Sequence, residues 1–289
     1  MKKTNLSIIT ILTMVLMFVF ASCTKDGVYK PKKKISKIYV TVQTDLSNNQ
    51  KMLKETWTWD GKLLSQIAYP DGDVAHFTYK KSQLTTITNG DCRTELTYDS
   101  KNKFIDNIKV YFDDKLYSTT TFQHEKKLIT SYKVEFTGEE ADKAKCARLI
   151  ENIFRFIAPE IAQNEVANYV KAIERKSKGD ESYTVNLVYD DKNITEQTVK
   201  FDNTQNVFTY TYTEYLNPFY GLLTEMEFSK NVPATCVLAT NERPDFNYSY
   251  TYVVDDKYPT AVTETLHWEL AGGSMGYNET TLTEYEYVK

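Results

Sequence analysis

The chain has 289 residues, with 35 Lys and Arg against 39 Asp and Glu and a net charge of −4. That length holds one large all-β domain or two smaller ones. The acidic balance excludes a basic face of the kind that reads nucleic acid.

The first residues are a leader. Lys2 and Lys3 precede an apolar run, Leu6 to Phe20, which is too short for a comfortable membrane span. "FASC" at 20–23 then sets Ala21 and Ser22 before Cys23, a sequence that resembles the lipobox of bacterial lipoproteins. The resemblance implies acylation of Cys23, cleavage before it, and a membrane partner reached through lipid. Phe20 stands where Leu is commonest, and an ordinary signal peptide is the alternative. Removal of residues 1–22 takes away two lysines and no acids, leaving 33 basic against 39 acidic residues. "KPKKK" at 30–34 reads as part of a solvated tether over 23–36, followed by a single β domain over 37–289.

From Ile38 onward the dominant signal has period two. "ETWTW" alternates Thr with Trp57 and Trp59, "VFTYTYTEY" with Phe208, Tyr210 and Tyr212, and "NYSYTY" alternates polar residues with Tyr248, Tyr250 and Tyr252. Residues two apart share a strand face, so each stretch has an aromatic face and a Thr/Ser face. The strands come in hairpins: "ETWTW–DGK–LLSQIAY", "AHFTY–KKSQ–LTTIT", "RTELTY–DSKNK–FIDNIKVYF" and "SYTVNLVY–DDKN–ITEQTVKF". Trp59, Tyr79 and Tyr98 end successive first strands, which makes the hairpin an internal repeat. "DDK" recurs at 113–115, 190–192 and 256–257 with its preceding Asp255, each time at a chain reversal, where Asp tolerates turn geometry and Lys keeps the tip wet. Two adjacent carboxylates without a flexible Gly do not make a calcium loop.

One segment breaks the pattern. Thr137–Glu140 has the form of a capping box, and Cys146, Leu149, Ile150, Ile153, Phe154 and Ile157 then follow at helical spacing. Pro159 restarts the pattern with Val166, Tyr169, Val170 and Ile173 until Lys178-Gly179. A two-helix insert over about 139–178 is predicted, its stripe buried as a plug or, alternatively, kept for a partner. "YLNPFYGLL" at 215–223 turns at Asn217-Pro218, and its apolar residues either close one end of the sheet or form a contact patch. "AGGSMGYN" at 271–278 reads as a loop between strands.

Chemistry-bearing motifs are scarce. His76, His124 and His267 have no metal-ligand spacing, and there is no nucleophile elbow, phosphate loop or dinucleotide fingerprint. Cys92, Cys146 and Cys236 lack CxxC spacing and read as small buried residues or as one disulfide with a spare thiol. No cofactor and no metal is expected. The 22 Tyr, 14 Phe and 3 Trp serve either a β core or a binding surface, and the candidate contacts are Trp57, Trp59, Tyr210, Tyr212, Phe219, Tyr220, Tyr250 and Tyr252.

"TWTWDGKLLSQI" and "LTYDSKNKFIDNI" resemble degenerate YD repeats, the hairpin unit of RHS-type proteins. With the lipobox, the helical insert and "NPFYG" at 217–221, the chain is similar to a family of Bacteroidetes cell-envelope lipoproteins. That resemblance implies a porin-like β fold and a lipid-anchored place in the envelope, at the outer membrane, on its periplasmic or surface face. "CTKDG" at 23–27 also resembles the surface-export signals of such bacteria. The polar face opposite the aromatics predicts a water-soluble barrel or strongly curved antiparallel sheet, not a membrane-spanning one. The expected function is a non-catalytic binding module for a glycan, peptide or partner protein. The alternative is a glycoside hydrolase for envelope or dietary polysaccharide, using two carboxylates that meet in space.

Overall fold

Alternating aromatic and polar residues leave each strand one apolar face to bury, and the chain buries all of these faces by closing on itself. The structure, a computed structural model, describes residues 33–43, 50–80, 83–99, 101, 104–137, 143–157, 167–169, 182–201, 204–219, 230–240, 246–269 and 276–289. The first hairpins use β1 (Ile35–Gln43), β2 (Met52–Asp60), β3 (Leu63–Ala68), β4 (Val74–Lys80), β5 (Gln83–Asn89) and β6 (Cys92–Tyr98). They continue through β7 (Ile105–Phe112), β8 (Lys115–Glu125) and β9 (Leu128–Phe136) to helix α1 (Lys143–Ile157). After the helical insert come β10 (Ser182–Asp190), β11 (Asn193–Phe201), β12 (Thr204–Leu216) and β13 (Asn231–Thr240). β14 (Phe246–Asp255), β15 (Tyr258–Glu269) and β16 (Gly276–Tyr287) complete the set. Each strand pairs antiparallel with its sequence neighbours, and β16 returns to β1 from Ile35↔Tyr287 to Gln43↔Thr280. No edge remains open.

The reversals match the predicted turns. Asp113 and Asp114 (φ 50° and 60°), Asp191 (φ 53°), and Asp256 and Lys257 (φ 47° and 68°) all adopt left-handed backbone, as Gly61 does at 54°. Two-residue hairpins want this conformation because it matches the twist of the flanking strands. The "DDK" stretches are therefore turn chemistry.

A second device repeats around the wall. In each even-numbered strand an aromatic or His side chain reaches a carbonyl of the strand before it. Trp59 Nε1 donates to Ile35 O at 2.7 Å, and the Tyr79 and Tyr98 hydroxyls donate to Leu64 O and Leu84 O at 3.0 and 2.7 Å. His124 Nε2 lies 2.6 Å from Ile105 O, so this nitrogen carries a proton. Tyr189, Tyr212, Tyr252 and Tyr287 repeat the bond to Ile129, Ile194, Pro233 and Pro259 at 2.5–2.8 Å. A register shift accompanies these contacts, as at Thr58/Trp59 opposite Leu64, and leaves one extra residue such as Ser65. The extra residue bonds back across the hairpin: Ser65 Oγ to Thr58 O, Thr85 Oγ1 to Thr78 O, Thr260 Oγ1 to Val253 O. The bulges bend the wall and aim eight ring side chains into one girdle at the end where β1 begins.

The outside is polar. On β14, Tyr248, Tyr250 and Tyr252 turn inward while Asn247, Ser249 and Thr251 are exposed. Lys133 pairs with Glu135 and Lys37 with Glu286 on other outer faces. Exposed large apolar residues such as Val188 and Val253 do not join into the band a membrane-spanning barrel requires, among the described residues. No described helix is long and apolar enough to cross a membrane. The barrel begins at Ile35, inside the stretch predicted as tether, and Lys33 Nζ already bonds Asp255 Oδ2 at 2.5 Å.

Sixteen strands enclose more room than their own side chains fill, and the insert occupies part of it. The α1 side chains of Leu149, Ile150, Ile153 and Phe154 are buried, with the Phe154 ring tilted against Tyr132 of β9 at 5.3 Å. A second helical stretch is described at 167–169, where Tyr169 is buried and its hydroxyl lies 2.6 Å from Ser118 Oγ. The insert is thus a plug, and the stripe predicted from spacing faces the wall. The rest of the predicted helices and capping box lies outside the described residues, Thr137 excepted.

Candidate functional site

The plug fills the lumen unevenly. Buried apolar side chains come from β1 to β13 and from the insert, whereas among the described residues of β14, β15 and β16 only Pro259 is buried. Against those three strands and β1 lies a cavity of about 160 Å³. Its floor follows from register. Tyr250 stands opposite Glu264, and Glu264 opposite Thr281; one row away Tyr252, Val262 and Thr283 line up in the same way. Because alternate residues share a face, both rows point into the lumen. Ile38, Val40 and Tyr285 extend this wall, and Phe219 covers it from the segment after β12. Phe219 is aimed inward by an Asx turn, its N–H donating to Asn217 Oδ1 at 3.0 Å, and its ring meets Trp57 and Tyr285 at 6.0 Å.

The far side of the cavity carries an ion network that fastens α1 to β2. Arg155 donates to both Glu55 oxygens at 2.8 and 3.0 Å and to Glu151 Oε1 at 2.5 Å. Lys54 donates to the same Glu151 oxygen at 3.0 Å, and Trp57 Nε1 to Glu55 Oε2 at 2.8 Å. The Arg155 guanidinium also lies 5.4 Å over the Phe219 ring and 5.9 Å over Trp57. Burial opposes the charge on Glu151, but Arg155 and Lys54 outweigh it and hold the carboxyl down to about 2. Burial likewise opposes the charge of Arg155, and Glu55 and Glu151 more than restore it. Two cations and two carboxylates make this quartet self-neutral.

Glu264 is different. Burial raises its carboxyl above the ordinary range and Glu279 adds to the rise, while a hydrogen bond from Tyr250 works the other way. It forms no ion pair among the described residues. Burial also raises the hydroxyls of Tyr250 and Tyr252, and that of Tyr285 to about 12, so all three stay protonated donors at neutral pH. The cavity therefore has aromatic faces, hydroxyl donors and one carboxyl without a counter-cation.

Of the aromatic candidates, Phe219, Tyr250 and Tyr252 line this cavity. Trp57 lies behind Arg155, Trp59 and Tyr212 belong to the girdle, and Tyr210 is buried with its hydroxyl on Gln197 Oε1 at 3.1 Å. Tyr220 and Cys23 fall outside the described residues. Cys92 and Cys236 are buried, the Cys146 side chain is outside the description, and among the described residues no three His, Cys, Asp or Glu gather. Sequence reading missed Glu264, Tyr285, Lys54, Glu151 and Arg155. Tyr285 alone had a signal, the inward-facing alternation of "TEYEY".

The fold defines a class: a closed sixteen-stranded antiparallel barrel with a helical plug in its lumen. A comparison with protein-family models finds no match, and no curated protein matches the sequence. Among solved structures, a porin-like protein from Bacteroides uniformis is similar, with a TM-score of 0.54 at 13% identity over 88% of this chain and 96% of its own. That likeness is one of fold. A TcdB2-TccC3-TEV structure aligns with a TM-score of 0.19 over 18% of its length, too little to argue from.

Proposed function

We propose that the chain is a non-catalytic, lipid-anchored protein of the bacterial envelope that binds its ligand inside the barrel. The carrying observation is the uneven lumen: a wall packed from β1 to β13, then a cavity lined by Tyr250, Tyr252, Tyr285 and Phe219. An apolar cavity with a few convergent polar groups is the usual form of a ligand site. The leader ending at Cys23 and the fold shared with a porin-like protein support the envelope setting. The polar exterior argues that attachment comes from lipid on Cys23, since the wall offers no apolar band. A glycan unit, a peptide side chain or a segment of an envelope protein are the ligands this lining suits.

Two measurements test the reading. Cys23→Ala should move the protein from the membrane fraction to the soluble exported fraction. Val262→Trp fills the cavity from β15 and should abolish the thermal stabilisation that a bound ligand gives the unmodified chain.

The hydrolase alternative has one observation in its favour, since Glu151 and Glu264 both line the cavity with their carboxyls pushed in opposite directions. Against it, Glu151 is already committed to Arg155 and Lys54. Oligosaccharide cleavage lost in Glu264→Gln would establish hydrolysis; no cleavage by the unmodified chain leaves binding.

A further inference from the structure

We infer that the lumen cavity recognises an ammonium group, held between the Glu264 carboxyl and the ring faces of Tyr250, Tyr252 and Tyr285. The inference rests on the lumen as the binding site and names the chemical class of the ligand.

Four ionic side chains border the cavity on the α1 side or just behind it: Lys54, Arg155, Glu55 and Glu151. Every one is satisfied within the quartet, so that side exerts no net charge on an entering ligand. On the opposite wall Glu264 lies among Tyr250 from β14, Thr281 from β16 and the more distant Glu279, and no cation faces it from β14, β15, β16 or β1 among the described residues. A half-buried carboxyl that lacks a counter-cation loses hydration that nothing repays unless it stays protonated or something supplies the charge. A ligand ammonium supplies it.

The surroundings suit that cation. A carboxylate with several aromatic faces is the arrangement that binds alkylated ammonium groups, because ring quadrupoles attract a desolvated cation. Tyr250 stands opposite Glu264, and Tyr252 donates to Pro233 O at 2.5 Å, which fixes its ring in the wall.

Size narrows the class further. About 160 Å³ is close to the roughly 150 Å³ that accommodates benzene in an engineered protein cavity. A single headgroup or side-chain terminus fits, whereas a run of sugar rings does not. The ligand is therefore an alkylammonium terminus of a larger molecule or a small free amine.

Binding should also move a proton. An entering ammonium favours the ionised form of Glu264, opposing the burial that raises its carboxyl. Affinity should thus rise with pH through the acid range and level off once the carboxyl is ionised.

The test uses the chain carrying Cys23→Ala, titrated calorimetrically with choline, with n-butylammonium, and with choline's uncharged isostere in which a tert-butyl group replaces trimethylammonium. Choline or n-butylammonium should bind at least about tenfold more tightly than the isostere. Glu264→Gln should remove that preference without unfolding the barrel, and Tyr252→Leu should weaken choline by a similar factor. Equal binding of isostere and cation, or an undiminished preference in Glu264→Gln, overturns the inference, as does no cation binding at millimolar concentration. If neutral ligands bind and Val262→Trp blocks them, the lumen remains the site and only the ammonium assignment fails. If choline binds unaffected by Val262→Trp, the lumen reading itself is wrong.

Discussion

Strands β2 to β13 and strands β14 to β16 are built from the same hairpin unit, yet they line the lumen in opposite ways. The longer arc faces inward with Ile67, Ile87, Ile108, Tyr132 and Val199, all buried, and α1 presses Phe154 and Ile153 against part of it. The shorter arc shows Tyr248, Tyr250, Tyr252 and Glu264, all only partly covered. Outer faces do not distinguish the arcs, since both are Thr-rich and polar. The difference lies in what stands opposite. Where the plug arrives the wall is close-packed, from aliphatic and aromatic side chains alike; where it does not, half-buried tyrosines and Glu264 border a cavity. One barrel thus separates the strands packed against the plug from those that border the cavity.

The sharpest way to break this division is at the boundary, where α1 is tied to β2. Arg155→Ala strands Glu55, which is fully buried, and should cost about 3–5 kcal/mol of unfolding free energy in urea titrations. Replacing Glu55 with Gln in the same background should recover part of the loss. Next comes the contrast between arcs. Phe154→Ala opens a void in the packed side and should cost about 3–4 kcal/mol. Tyr250→Ala, on a wall that already borders a cavity, should cost distinctly less in the same assay. Equal losses would mean that the two arcs contribute alike.

Acidification separates the two cavity carboxyls. Glu151 is held low by Arg155 and Lys54, so its ion pairs stabilise the fold above the ordinary carboxylate value of 4.5 and lose that effect as pH falls toward about 2. Glu264 is raised, so it favours the fold at low pH and loses that contribution as pH climbs through its folded value. Glu264→Gln should therefore raise the urea midpoint at neutral pH, with the gain shrinking as the solution is acidified.

The girdle gives a smaller effect. Tyr79→Phe removes one hydrogen bond to Leu64 O and should cost about 1 kcal/mol, as should Tyr98→Phe at Leu84 O. Smallest of all, Lys257→Gly should stabilise by a few tenths to about 1 kcal/mol, because its φ of 68° is one that glycine adopts freely. A thermal-melt comparison suffices for both.

Much of this architecture is local and so could be read from the chain. The alternation around Trp57 and Trp59 or Tyr248 to Tyr252 sets strand faces two residues at a time, and "DDK" marks reversals within four. The helical stripe at Leu149, Ile150, Ile153 and Phe154 is legible for the same reason. The cavity was not. Glu264 meets Tyr250 through the pairing of β14 with β15, and Arg155 meets Glu55 across 100 positions. Such partners are fixed by sheet closure, and nothing in their flanking residues distinguishes these acids from the other carboxylates in the chain. The girdle lay between these cases. Its aromatics were visible at intervals of about 20 residues, but the bulges that aim them depend on partner strands.

The pairing of β1 with β16 also governs the order in which the molecule can come into being. Ile35 finds its partner only when Tyr287 has emerged, and until then β1 and the newest strand are both raw edges. Hairpins can form early, each by local contacts, but the ring cannot seal until β16 is available to β1. A chain interrupted before β16 would offer two unsatisfied edges to any neighbour of the same kind, and exchange of hairpins between molecules would be its natural fate. Arrival of β16 is, for this barrel, the condition of a wall without edges.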